Sequence, residues 1–482
     1  MPIVLSGKPY PEARERRLRY RLALQEAMES MEYRPLNYDS LYYFPVPNLG
    51  RCEPGGTLWA DETLESSQCQ QALTEDDFIP ITYEIFEYIG KKNRGRTKNQ
   101  GQSIQRVVVF WVDSRLVNSG GTPNYRNLEA MLLGGAAKRI HSGTVISLAG
   151  SVELLSLILN GDQESLPDNQ KLPLNYAVST APKSQFDSKL RFSKGVEEIN
   201  QRIAARVVRT VPSDNYVLAA IVDELQRRIP GFGMGKAPED GDEVWLLSEQ
   251  DTFYSQVMND EFDAITHKRE LNVNVKSIGF LKGIDGNLPD DQAAEAKSVK
   301  SISNLTDLVH MLNQSSVPEQ RLFDRRQIDY LQRLAEKLQQ EQRAKPFRQR
   351  VKAIGILGGD VYDKMLVLEV FRHYFPATNY FTTDLDSAYL YGPHAKTARN
   401  LIIGSSFGLS PLPLKDVSEN DAAGEVVFRD SYQTALYHAI LKLLRPRGEQ
   451  QKFQEAFNRD FGIGVFEVGR SKFHLLETGP ES

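Results

Sequence analysis

Apolar positions along the chain fall into two rhythms. Residues 11–31 set Leu18, Leu22, Leu24, Ala27 and Met28 as a stripe between charged positions, the spacing of an amphipathic helix. Residues 80–88 alternate, as a half-buried strand does. From residue 107 the pattern changes to short strand-like runs at 107–112, 144–149, 173–178, 243–248, 274–280, 351–357, 379–383 and 399–405. Helical stretches lie between them, at 124–140, 152–159, 214–228, 254–262, 323–344, 361–373 and 431–444. Apolar strands alternating with amphipathic helices predict α/β architecture, with parallel sheets covered on both faces. Residues 37–80, rich in Pro, Gly and acidic side chains, read as a long loop or insertion. Residues 91–103 read as a basic surface loop, and 283–345 as a second insertion carrying a long charged helix. No repeat of fixed period is visible.

Composition narrows the function classes. The chain has 482 residues, enough for two or three domains or lobes. Its net charge of −5, from 58 Lys and Arg against 63 Asp and Glu, argues against a nucleic-acid-binding surface. Cys52 and Cys69 are too few for a structural zinc site and are expected as unpaired thiols. The seven histidines are scattered, so neither a metal nor a cofactor is expected. The glycine-rich turn Gly231 to Lys236 lacks P-loop spacing and runs into a strand. The segment Thr383 to Ser387 resembles the start of a magnesium-dependent phosphatase motif, but Ala388 stands where that motif has Thr or Val. No apolar run reaches the roughly 20 residues of a membrane span, and Met1 to Tyr10 has no leader pattern. The expected location is therefore cytoplasmic, or periplasmic or extracellular if the chain is a piece of an exported or membrane-anchored protein.

In open parallel sheets, ligands bind beyond the carboxyl ends of the strands, where helix N-termini offer free N–H groups. That rule selects Gly150 and Ser151, then Ser179 and Thr180, then Glu249, Asp251, Thr252 and Tyr254, then Gly358, Gly359, Asp360, Tyr362 and Asp363, and finally Asp384 with its neighbour Asp386. Ser151, Thr180 and Asp251 are equally good helix N-caps, and the paired aspartates equally good turn residues. The joint pattern favours a ligand. Hydroxyls on the early loops suit a carboxylate, and aspartates on the late loops suit an ammonium.

The segment RTVPSDNYVLAAIVDEL (Arg209 to Leu225) resembles the part of type I periplasmic-binding-protein domains, such as branched-chain amino acid receptors, that crosses from the first lobe to the second. Ser147 to Ser151, Asn175 to Pro182, Glu243 to Phe262, Ala353 to Arg372, Tyr432 to Leu444 and Gly464 to Arg470 are similar to later family segments, in the family's order. The family's first strand has one candidate here, Ile3-Val4-Leu5. The resemblance implies two Rossmann-like lobes with parallel sheets, joined by a three-stranded hinge. Lobe 1 would take residues 1–210 and 378–448, and lobe 2 residues 211–377 and 449–482. Ser151 and Thr180 would hold a ligand carboxylate, the Val178 carbonyl and Asp363 an ammonium, and Tyr254 and Tyr362 would wall the cleft.

The function so implied is that of a bacterial, non-catalytic sensor. It would close two lobes on a small polar ligand, an amino acid or amide-like molecule, and signal to a protein partner or to another copy of itself. The alternative is a binding-protein fold reused as an interaction or assembly platform in a signalling or defence system, with helix 323–344 as contact surface.

Overall fold

The computed structural model describes residues 2–5, 11–37, 42–47, 78–89, 106–113, 145–147, 174–176, 207–209, 214–235, 241–249, 253–280, 318–346, 350–391, 393–411, 426–445, 449, 452, 453, 455 and 463–478. Its first sheet is built from β1 (Pro2–Leu5), β2 (Tyr33–Pro35), β3 (Tyr42–Pro47), β4 (Phe78–Tyr88), β5 (Arg106–Asp113), β6 (Val145–Ser147), β7 (Leu174–Tyr176) and β8 (Val207–Arg209). The order is β2-β4-β5-β1-β6-β7-β8. The run Ile3-Val4-Leu5 is indeed a first strand: β1 lies between β5 and β6 and is parallel to both. β4 is antiparallel to β5, and its other edge is shared by β2 and β3. The segment expected as a loop at 37–80 thus contains a strand. β3 carries the aromatic and β-branched residues of YYFPVP, and Tyr42 stacks on Tyr83 of β4 at 5.3 Å.

Helix α1 (Pro11–Ser30) covers this body. Its buried face is Tyr20, Ala23, Leu24, Ala27 and Met28, spaced i, i+3, i+4, i+7, i+8. Leu18 and Leu22, placed on the stripe by hydrophobicity, are 63% and 48% exposed. The buried face is turned away from them because the two small alanines let the helix approach its neighbours closely, which bulkier leucines would prevent. The same core takes Phe86, Val107, Val109 and Trp111 from the sheet.

Seven strands form the second sheet. After α2 (Asp214–Arg228) come β9 (Asp242–Glu249), α3 (Phe253–Lys268), β10 (Val273–Phe280), α4 (Pro318–Arg343), β11 (Val351–Leu357), α5 (Val361–Tyr374), β12 (Asn379–Thr383), β13 (Ile402–Ser405), α6 (Ser431–Leu444), β14 (Gly464–Val468) and β15 (Phe473–Thr478). The order is β10-β9-β11-β12-β13-β14-β15. The first five strands are parallel, and β14 and β15 are antiparallel additions. Alternate residues feed two cores. Val244, Leu246, Ala353, Leu357, Phe381 and Ile402 meet α2 and α3 on one face. Trp245, Leu247, Ile354, Ile356, Tyr380 and Ile403 meet α4 and α5 on the other. Both faces are covered, which is why these strands are near-continuous in apolar residues. Gly355 and Gly404 allow this closeness: a Cβ would stand 2.4 Å from the Phe381 ring at the first, and 2.7 Å from Val217 at the second.

The fold class expected from the sequence, mixed α/β with parallel sheets, is what the strand orders show. One assignment changes. Residues 379–383 and 402–405, expected with the first lobe, pair in the second sheet, because β12 docks on the parallel edge of β11 and supplies Tyr380 and Phe381 to its two cores. Helix α6 instead packs in the first core with α1, as does Phe453, which had been expected in the second lobe. The helices expected at 124–140 and 152–159 lie outside the described residues.

Candidate functional site

Glu249, the last residue of β9, organises the loop that follows β11. Its Oε1 accepts hydrogen bonds from Gly359 N (2.8 Å) and Asp360 N (3.4 Å). A carboxylate bound by N–H groups just before a helix is a favourable arrangement. A Cβ at Gly358 would stand 2.6 Å from the same oxygen. Asp360 then caps α5, its side chain accepting from Tyr362 N at 2.8 Å. Capping, one of the two readings open from the sequence, is its role in the structure. Asp363, one turn in, is fully buried and engaged by neighbours within the chain.

At the carboxyl end of β12 the backbone turns at Asp384, whose φ of 67° lies in the left-handed region that Asp tolerates better than most residues. Asp384 N donates to Gly404 O (3.0 Å), and Thr383 Oγ1 donates to its side chain (3.1 Å). The buried Lys364 Nζ lies 3.6 Å from Asp384 Oδ2 and donates to Thr383 O (3.0 Å). Two residues on, Asp386 caps the short 3-10 turn Ser387–Leu390 through Ala388 N (2.8 Å). The strand-end aspartates are therefore held by bonds within the chain.

Here the second sheet meets the first body. Residues 385–387 run antiparallel to 429–431, with Ser387 N donating to Arg429 O (2.7 Å) and Ser431 N to Leu385 O (3.0 Å). Arg19 of α1 inserts between the facing aspartates. Its Nη1 donates to Asp386 Oδ2 (3.2 Å) and to Asp430 Oδ2 (3.0 Å). Asp430 is also the N-cap of α6, accepting from Gln433 N at 2.9 Å. Gln433 ties the helices together: its Nε2 donates to Arg19 O (2.8 Å) and its Oε1 accepts from Arg429 N (2.9 Å). Glu15, one turn before Arg19, lies 2.8 Å from Arg19 Nη2 and also pairs with Arg429. Tyr362 Oη donates to Glu15 Oε2 (3.2 Å) and accepts from Arg429 Nη2 (2.6 Å).

Among the described residues, three carboxylates thus share two guanidiniums, an excess of one negative charge. The consequences appear in the titration. Burial lifts Asp386 above the ordinary aspartate range and the nearby Asp430 lifts it further, against the pull of Arg19, the Ala388 N–H and Arg429. Burial alone would lower Arg19; Glu15, Asp386 and Asp430 outweigh it and hold the guanidinium charge more firmly than usual. Burial raises the Tyr362 phenol, while Arg429 pulls it down.

Of the sequence-selected residues, the structure brings Tyr362 into this cluster; Asp360 caps α5, Asp363 is buried one turn into that helix, and Asp384 pairs with Lys364. Tyr254 lies in the first turn of α3. Gly150, Ser151, Val178, Ser179, Thr180 and Asp251 lie outside the described residues, as do Cys52 and Cys69. Asp386 belonged to the strand-end rule but not to the implied ligand set. Glu15, Arg19, Arg429 and Asp430 were missed. A signal for two of them exists: positions 15, 19, 23 and 27 step by four along α1, and the series ends in two fully buried alanines. Charged residues that continue a buried stripe are candidates for a buried ion pair.

Among the described residues no helix is long and apolar enough to cross a membrane, and nothing supports the cytoplasmic expectation. No protein-family model and no curated protein matches the chain. It is similar to several solved structures. One is a leucine-binding protein from Thermotoga maritima (13% identity, 77% of this chain and 87% of that one, TM-score 0.41). Another is a branched-chain amino acid ABC transporter periplasmic ligand-binding protein from Burkholderia xenovorans (9%, 77% and 84%, 0.43). A third is a branched-chain amino acid ABC transporter from Thermus thermophilus with bound valine (11%, 78% and 86%, 0.39). These are proteins of the kind the sequence motifs resemble. The fold class itself stands on the strand orders above.

Proposed function

We propose that the chain is a non-catalytic, two-lobed binding protein that takes a small polar ligand, an amino acid or amide-like molecule, at the carboxyl ends of β9, β11 and β12. The observation that supports this reading is the position of the charged cluster. Tyr362 and Asp386 follow strands of the second sheet, and they face Glu15, Arg19, Arg429 and Asp430 of the first body. That is where open parallel sheets bind ligands, and it is also where two lobes would close. A ligand that bridged both bodies would favour the closed arrangement by its differential affinity, which is the basis of a sensor. Ser151 and Thr180 on the carboxylate side, Tyr254 at the cleft wall, and Asp251 among the ligand-binding residues remain part of the proposal.

The test is a thermal-shift screen of the wild-type chain against amino acids, amides and small peptides, followed by calorimetric titration of any hit. A ligand at 100 times its Kd adds about 2.7 kcal/mol, a shift of several degrees. A well-folded protein with a flat screen would sink the sensor reading. It would favour the assembly platform instead, for which the specific observation is that Asp386 and Asp430 already share Arg19, and Tyr362 already accepts from Arg429, within the chain.

A further inference from the structure

Glu15 is a carboxylate met by polar groups from three separate elements, two of them as hydrogen-bond donors. Arg19 Nη2 stands 2.8 Å from its Oε1, Arg429 Nη1 contacts the same oxygen from the segment before α6, and Tyr362 Oη donates to Oε2 from the first turn of α5 at 3.2 Å. Two guanidiniums and a phenol converging on one carboxylate is a recognition arrangement, since planar N–H forks match carboxylate oxygens in geometry and charge. The donors keep other anchors. Arg19 holds Asp386 and Asp430 through Nη1. Arg429 lies over the Tyr362 ring at 6.0 Å, with its Nε 3.7 Å from Asp386 Oδ1. Glu15 itself is less constrained, with 31% of its side chain exposed against 11% for Arg19. Arg19 Nε and Nη2 are both buried without a hydrogen bond, so Nη2 meets Glu15 as an ion pair only.

We propose that Arg19, Arg429 and Tyr362 form a carboxylate-binding site at the junction of the two bodies, and that Glu15 fills it from within the chain until a small carboxylic acid takes its place. Replacing one carboxylate by another leaves the charge of the cluster unchanged, so the excess of negative charge does not oppose the exchange. The vacated Glu15 side chain moves to the solvent it already touches. The spare Arg19 Nε gives an incoming carboxylate a second donor on the same guanidinium. The inference deepens the ligand-binding reading above and rests on it for its biological meaning; the site can be tested without it.

The experiment compares the wild type with Glu15→Ala, using sodium acetate as the probe and sodium chloride at equal ionic strength as the control. A tethered side chain competes at an effective concentration in the millimolar range, so removing it should tighten acetate binding by about tenfold. Acetate should raise the Tm of E15A by about 2 °C or more beyond chloride, and the double variant E15A/R429M should lose that gain. Equal effects of acetate and chloride on E15A, or a gain that survives in E15A/R429M, would overturn the site. Should circular dichroism show E15A unfolded, Glu15→Gln takes its place. It keeps an acceptor for Tyr362 but no charge, and an equal response to the two salts overturns the site there as well. Acetate binding together with a flat amino acid screen keeps the site and removes the sensor. A screen hit whose affinity is unchanged in Arg429→Met, with no acetate effect on E15A, removes the site and keeps the sensor.

Discussion

At the amino end of β9 a single carboxylate, Glu243, is met by a full set of donors. Trp245 Nε1 donates at 2.6 Å, Gln342 Nε2 at 3.0 Å, and Lys345 pairs with the second oxygen. Gln342 Oε1 in turn accepts from Val351 N at 2.9 Å, which fastens the end of α4 to the start of β11. At the carboxyl ends of β11 and β12 the balance is reversed: Glu15, Asp386 and Asp430 divide two guanidiniums among them. Both groups are largely buried and both join distant segments. One is satisfied within itself and belongs to the architecture. The other has more acceptor charge than donor charge and lies where two bodies meet. The imbalance lies at the carboxyl end of the sheet, the end at which open parallel sheets take ligands, and the closed set lies at the amino end.

The comparison breaks most severely at Arg19. Arg19→Met would leave Asp386 and Asp430 facing each other, both more than nine-tenths buried, with their shared cation gone. Removing one member of a buried ionic group costs about 3–5 kcal/mol. Urea unfolding at neutral pH should show a loss of this size. A loss below about 1 kcal/mol would mean the cluster is hydrated and works as a surface pair. Glu243→Ala should cost less, about 2–3 kcal/mol, because the Lys345 it strands is 40% exposed and can turn to water. If the order of the two losses were reversed, the amino-end group would be the stronger constraint and the junction a weak contact.

Much of this architecture is legible in the sequence. The runs at 351–357, 379–383 and 431–444 are β11, β12 and α6 to the residue. Long elements buried along a whole face leave a strong periodic trace. The errors arise where hydrophobicity and burial part company. Leu18 and Leu22 looked like core and are exposed, while Ala23 and Ala27 carry the contact. β3 hid among prolines because both of its prolines pair with edge positions of β4. For the site, the strand-end rule reached Tyr362 and the aspartates near it. It could not reach Glu15 and Arg19, which sit more than 340 residues away in sequence and are brought there by α1 packing on α6. The strand-end rule finds the second body's half of a junction; the first body's half is set by tertiary contact.

The two ends should also answer acid in opposite senses. Burial would raise Glu243, but hydrogen bonds from Lys345, Trp245 and Gln342 outweigh it and hold its pKa below the ordinary glutamate value of 4.5. Its stabilisation is present above 4.5 and is lost as pH falls through the depressed folded value. Asp386 is the reverse case, with a folded pKa above 3.8 owing to burial and Asp430. Between 3.8 and that raised value the folded state binds more protons than the unfolded one. Stability therefore rises as pH falls through this window and declines as pH climbs back. Comparing Glu243→Gln and Asp386→Asn with the wild type by urea unfolding at several pH values separates the two. The wild type's advantage over E243Q should shrink below pH 4.5, while its standing relative to D386N should improve as pH falls toward 3.8. Slopes of the same sign would show that Asp386 is as fully paired as Glu243. The junction would then have no excess charge, and the contrast between the two ends of the sheet would fall.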